Sequence, residues 1–428
     1  MTLPEDLLHF IWKYRLYQTQ KPVTVSGKPL AILYTGMHNN HAGPDFRSAK
    51  IRIGTTEWAG NVEIHWRSSD WNTHRHDHDL AYNNVILHVV YEHDKDVRRI
   101  DGTTPEVLEL KPLISEFMLQ RYQQMMNGMS WIPCERHIDV ISPLTISQWL
   151  SRLLIERFEH RVNDVLDLLE QQQGNWDETC YLWMARCFGF SINAPAFEQL
   201  ARSVPQAILT KYQQRSLALE AIFFGQAGML EGTGPVDEYT AALRNEYAYR
   251  QKLHVLSPPP GLPWRFMRTR PGNFPSMRIA QFVAFCARSP YSFATIRDAP
   301  TSVELKAMFQ QLPVHEYWRR HYRIGKRSAT HSNQLGERSI QTLLINAVAV
   351  ILFAFGKYIN EETYIYRAVS LLETLKPEDN AIIRRFSTFG IHARQAAESQ
   401  ALLQMKAFYC DRKKCLDCSI GLAVIKNT

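Results

Sequence analysis

The period of the apolar residues changes once along this chain, near residue 113. Before that point they come in short bursts, at residues 23–26, 30–34, 49–53, 58–66, 85–91 and 107–110, each bounded by Gly, Asn, Asp or Pro. Bursts of that length and make-up predict strands, and an amphipathic helix reaching to about Tyr17 precedes them. Beyond Ile114 the apolar residues recur every three or four positions, as over residues 146–169 and 213–224, which is the spacing of helices that bury one face. The expected fold class is therefore α+β. A β-rich domain over residues 1–125 precedes a mostly helical region over residues 126–428. A subdivision is expected near residue 260, where residues 257–261 and 270–275 carry the Pro and Gly of loops.

A chain of 428 residues has more than enough material for one core, and 45% apolar with 21% charged residues is ordinary globular composition. The most apolar stretch, residues 340–355, contains Gln341 and Asn346 and falls short of the roughly 20 residues that cross a bilayer. A buried core helix is expected there, and no membrane partner. Residues 1–17 lack a cleavable leader, and seven thinly spread cysteines make no disulfide framework, so a cytoplasmic location is expected. Oligomeric state has no signature in the sequence. The net charge of +7 is too modest to identify a partner. A local cluster is more specific: Arg319, Arg320, Arg323, Lys326 and Arg327 stand among Tyr317, Trp318 and Tyr322, a mixture that can hold a phosphate backbone and stack on bases. The plainer alternative is a solvated helix end whose aromatics face the core.

Half of the 16 histidines fall between His38 and His93, interleaved with Asp45, Glu63, Asp70, Asp77 and Asp79. Glu63 and His65 are two apart on an expected strand, so both point to one face while Val62, Ile64 and Trp66 line the other. Asp45 follows Gly43-Pro44, a turn that delivers its carboxylate to the start of the next strand. Two acids and an imidazole so placed can hold a divalent ion and supply a base. The alternative is a solvated polar sheet face, and the run from His74 to Asp79 is expected to be a solvated loop.

Cys410, Cys415 and Cys418 stand within nine residues near the C-terminus. Thiolates at this spacing suit zinc or an iron-sulfur cluster, with Lys413 and Lys414 expected to lower the thiol pKa values. A fourth ligand has to come from elsewhere, Cys134 first and His392 second.

Several segments together carry a resemblance: Gly43-Pro44-Asp45-Phe46, Gly60-Asn61-Val62-Glu63-Ile64-His65, Ser69-Asp70-Trp71, residues 84–90, residues 270–275 and the cysteine motif. On these the chain resembles the bacterial family called domain of unknown function 2851, over nearly its whole length. Membership implies no activity. More distantly, Pro44-Asp45 followed by Glu63-Ile64-His65 is similar to the motif of PD-(D/E)XK nucleases, whose Asp and Glu bind a divalent metal while a Lys positions or activates water. This resemblance implies a restriction-endonuclease-like N-terminal domain with His65 in place of the lysine. A helix is then expected between Trp71 and Asn83, where the local helix signal is weak. The functional expectation is a metal-dependent phosphodiesterase acting on nucleic acid, with Asp45 and Glu63 holding Mg²⁺ or Mn²⁺ and His65 orienting or deprotonating water. The alternative is a non-catalytic nucleic-acid or protein-binding scaffold with a structural metal.

Overall fold

The computed structural model describes residues 3–426 except 19, 21, 40, 232–236, 268 and 290–291. Helices take 55% of the chain and strands 11%, with a mixed sheet between residues 30 and 109 ahead of a mostly helical region. The chain divides into two compact units. One gathers residues 3–150, 385–391 and 405–426; the other holds residues 151–384 and 392–404.

In the first unit, α1 (Glu5–Lys13) begins with Glu5 and Asp6 and ends with Lys13, the charge order its dipole favours. Leu7, Leu8, Ile11 and Trp12 are fully buried, and the Trp12 indole donates to the Thr35 carbonyl at 3.0 Å. Six strands follow: β1 (Leu30–Tyr34), β2 (Met37–His38), β3 (Phe46–Ile53), β4 (Thr56–Arg67), β5 (Val85–Glu92) and β6 (Glu106–Glu109). They lie in the order β1-β3-β4-β5-β6, with β2 also paired to β3. Strands β1, β3 and β4 are antiparallel neighbours, whereas β5 runs parallel to both β4 and β6. Residues 23–26, expected as a strand, form only a single bridge between Val23 and Pro29. The chain turns back at once through Gly27, at φ 82°, and Pro29 has no amide to extend a ladder.

The parallel pairing of β4 with β5 requires a crossover of a dozen or more residues. Residues 68–84 supply it through α2 (Asp70–Thr73) and two tight helical turns, His76–His78 and Leu80–Tyr82, in place of one long helix. Trp71 and Tyr82 pack against Val85 and Val97 and pin this segment down. Beneath it, residues 62–65 of β4 are buried on both faces, as central strands of parallel sheets are. The helix α3 (Glu116–Asn127) completes the neighbourhood of the chain end, with Arg121 donating to the Val424 carbonyl at 2.9 Å.

The second unit is helical. Its most apolar element, Glu337–Ile359, is continuous over 23 residues, longer than the stretch expected, yet 72% of its apolar window is buried inside the protein. That burial makes it a core helix. A two-stranded ribbon, β7 (His321–Arg323) and β8 (Lys326–Arg327), is this unit's only described sheet.

Candidate metal centre

Strand β4 carries the first residues of the site. Alternation puts Glu63 and His65 on one face, and in register across the parallel pair Glu63 faces His88 of β5. The face is not solvated: relative exposure is 4% for Glu63, 1% for His65 and 0% for His88. Gly60 makes this tight pairing possible. A Cβ there would lie 2.4 Å from Ile86 Cγ2 and 2.7 Å from the Asn84 carbonyl oxygen.

Asp45 arrives from the loop before β3, where Gly43 at φ 96° precedes Pro44. The Asn39 side chain bridges this loop by donating to the Pro44 carbonyl at 3.0 Å. Two reciprocal bonds set Asp45 beside Glu63: the Asp45 amide donates to Glu63 Oε2 at 3.1 Å, and the Ile64 amide donates to Asp45 Oδ2 at 2.9 Å. The three residues expected to act together are thus adjacent.

Two further elements complete the group. On α1, Glu5 and His9 are four apart and share a face, and His9 Nε2 lies 3.2 Å from Asp45 Oδ2. The crossover brings His74 and His76. Between them Arg75 takes the left-handed conformation at φ 62°, which reverses the chain so that both imidazoles meet His65. Asn72 holds the turn by donating to Asp77 at 2.9 Å, while Trp71 and Tyr82 wall His76 in, with the Tyr82 ring stacked on it at 3.7 Å.

The ligand atoms of His65, His74 and His76 all lie within 4.8 Å of one another. Glu63 Oε1 borders this group, 3.0 Å from His76 Nε2 and 3.5 Å from His65 Nε2. His76 Nε2 is buried and makes no hydrogen bond, for all its closeness to that carboxylate. His65 Nε2 and His74 Nδ1 pair at 3.1 Å, so the atom of this group left for a cation is His76 Nε2. On its other side His65 Nδ1 meets His88 Nε2 at 2.9 Å. His88 is thus the outer partner that orients the His65 ring towards His74 and His76.

Electrostatics agree with neutral donors. Burial, then the neighbouring His88, His76 and His74, hold His65 far below the usual imidazole range. Burial, with His76 and His93, takes His88 down to about 3. Burial pushes Glu63 up to about 9, the Asp45 charge adding to it and the Asp45 amide opposing. At His9 burial acts downward, but the hydrogen bond and charge of Asp45 outweigh it and the pKa is raised. Three imidazoles and one carboxylate suit a borderline divalent metal such as Zn²⁺ or Mn²⁺ better than Mg²⁺, which prefers oxygen ligands.

Among the residues singled out from the sequence, Asp45, Glu63 and His65 come together, and His74 and His76, expected in a solvated loop, join them. Glu5 and His9 were not foreseen; their four-residue spacing on an amphipathic helix was the available signal. Cys134 meets Cys410, Cys415 and Cys418 around one cleft of the first unit, whereas His392 is exposed and belongs to the second. Lys413 pulls the Cys415 thiol downward as expected, but burial outweighs it. Burial dominates and raises all four, Cys134 to about 12 and Cys418 to about 11. The basic cluster is the end of a short tight helix, Glu316–Arg319, and the ribbon that follows it. Trp318 is buried, Tyr317 donates to Asp237 at 2.9 Å, and the Arg323 guanidinium lies on Phe266 and Phe274 at 4.3 and 4.8 Å from their ring centres. Arg319, Arg320, Lys326 and Arg327 are left exposed.

Compared with known proteins, residues 5–381 match a family model described as "Protein of unknown function (DUF2851)". No curated protein and no solved structure matches the chain.

Proposed function

The chain belongs to the DUF2851 family, and we propose that its first unit is a divalent-metal-dependent phosphodiesterase that cleaves nucleic acid. The observation that carries this reading is the convergence of Glu63, His65, His74 and His76 beside the Asp45–His9 pair. The order of elements supports it as well. A helix, three antiparallel strands and a helical crossover into a parallel strand deliver Asp45 and the Glu63-Ile64-His65 run to neighbouring strands, as the nuclease resemblance implies.

Within this reading His65 is a ligand. It is buried, held by His88 and turned towards His74 and His76, so it is badly placed to take a proton from water. Asp45 has that role, because its side chain and that of His9 keep 21% and 16% of their surface open. Asp45 accepts the proton of the attacking water, and His9 beside it steadies the carboxylate. A bound metal supplies Lewis-acid polarisation of the phosphoryl oxygen and lowers the pKa of water. Burial and the Asp45 charge favour a protonated Glu63, which would give up that proton to a bound cation. The exposed cations of the β7–β8 ribbon are the proposed contacts to phosphate backbone.

The test is cleavage of labelled single- and double-stranded DNA and RNA with Mn²⁺ or Zn²⁺. Asp45→Asn is expected to lower cleavage by about 10²-fold or more while metal content is unchanged. Cleavage by Asp45→Asn at the wild-type rate overturns the assignment, as does failure to cut any of these substrates. The complete burial of His65 and His88 favours one second reading, a structural metal that pins the crossover of a non-catalytic scaffold for nucleic acid or protein. That reading predicts bound metal, loss of structure on chelation and no cleavage.

A further inference from the structure

Four of the seven cysteines gather at one place in the first unit, and the chemistry there is separate from the histidine site. Cys134 follows α3 in sequence, Cys410 ends the wide helical turn Lys406–Cys410, Cys415 opens the tight turn Cys415–Asp417, and Cys418 precedes the helix Ser419–Lys426. With Pro133, Met405, Tyr409 and Ile420 they line a single cleft. All four are free thiols, and Cys134, Cys415 and Cys418 are buried.

We propose that Cys134, Cys410, Cys415 and Cys418 ligate an iron-sulfur cluster. The spacing is the first reason: four residues separate Cys410 from Cys415 and two separate Cys415 from Cys418, the C-x₄-C-x₂-C run of one ferredoxin class, with the fourth cysteine distant in sequence. The size of the cage is the second. A single tetrahedral zinc with bonds of about 2.3 Å draws its sulfurs to about 3.8 Å from one another. Among the described residues, no three of these sulfurs lie within 4.8 Å of one another. The third reason is the treatment of Cys418, whose sulfur accepts from the Ile420 and Gly421 amides. N–H donors around a buried sulfur favour the thiolate and tune a cluster's potential. The backbone is shaped to the same end. Gly421 sits so close to Cys415 that a Cβ there would be 2.2 Å from the Cys415 carbonyl oxygen, so only glycine lets the helix start against that cysteine.

The experiment is iron, acid-labile sulfide and zinc analysis of the full chain purified without oxygen, together with its visible spectrum. Iron and sulfide in equal amounts, at least about two of each per chain, with a broad visible absorption are expected. Cys134→Ala is expected to lose most of the iron, and Cys187→Ser, in the second unit, to keep it. Should Cys134→Ala fail to fold, anaerobic reconstitution of the wild-type chain with ferrous iron and sulfide gives the same decision. One zinc per chain without sulfide overturns the proposal, and so does protein that takes up no iron on reconstitution. None of these readings depends on nuclease activity, so failure here and failure of the phosphodiesterase reading are distinct.

Discussion

Single buried side chains set the sharpest expectations. His88 is fully buried, and its hydrogen bond with His65 Nδ1 orients that ring towards His74 and His76. Removing such an outer partner costs roughly 10- to 100-fold in metal affinity, so His88→Ala is expected to bind Mn²⁺ or Zn²⁺ that much more weakly in a competition titration with a chelating dye. Unchanged affinity would remove His88 from the site. In the second unit Glu220, 2% exposed, accepts from the Tyr239 hydroxyl at 2.8 Å, and burial pushes its pKa up to about 7 against the opposing pull of that bond. A folded value above the ordinary 4.5 means stability that is complete below about pH 4.5 and lost as pH rises through about 7, roughly 3 kcal/mol in all. Glu220→Gln keeps the acceptor and cannot ionise. Its urea stability is expected to match wild type near pH 5 and exceed it near pH 8.5, whereas parallel profiles would contradict the assignment. What was legible at this scale was spacing. Glu63 and His65 follow from alternation alone, but the burial of His88 and the arrival of His9 depend on which strands and helices lie above, and neighbouring residues do not encode that.

Elements explain why His76, buried within the otherwise largely exposed run 74–79, was not foreseen. Residues 74–79 have no apolar period and are rich in charge, which locally is indistinguishable from a solvated loop. Their shape comes from tertiary bonds: Asn72 to Asp77, the Trp71 indole to the Arg98 carbonyl at 3.1 Å, and the stacked Tyr82. Strands β3, β4 and β5 were legible because burial on one or both faces leaves β-branched runs between turn residues. The tight β4–β5 approach at Gly60 gives a test of this element. Gly60→Ala places a methyl group into Ile86 and the Asn84 carbonyl and is expected to cost roughly 1–3 kcal/mol. It also shifts β5, so His88 leaves its register with Glu63 and metal binding falls with stability in the same thermal-melt and titration series. A fully stable Gly60→Ala protein with wild-type metal affinity would show that the close approach is not needed.

For the whole molecule, the change of apolar period correctly separated a sheet region from a helical one, because period reports directly on which surface each element buries. It carried no information about the segments at 385–391 and 405–426, which belong with the sheet unit through contacts such as Trp131 on Phe386 at 4.9 Å. Charge at this scale is testable through salt. If the exposed cations of the ribbon contact phosphates, replacing Lys326 and Arg327 together by Ala should weaken binding to a DNA duplex. It should also flatten the dependence of log K on log salt by about 0.9 per lost contact, roughly 1.8 in total. An unchanged slope would place the nucleic-acid contacts elsewhere.

The bond from Arg121 to the Val424 carbonyl spans 303 positions of chain. At the ribosome's pace of about 5–20 residues per second, the partner of Arg121 is made roughly 15–60 s after it. Residues 405–426, which complete the first unit around α3, are therefore synthesised only after every residue of the helical unit.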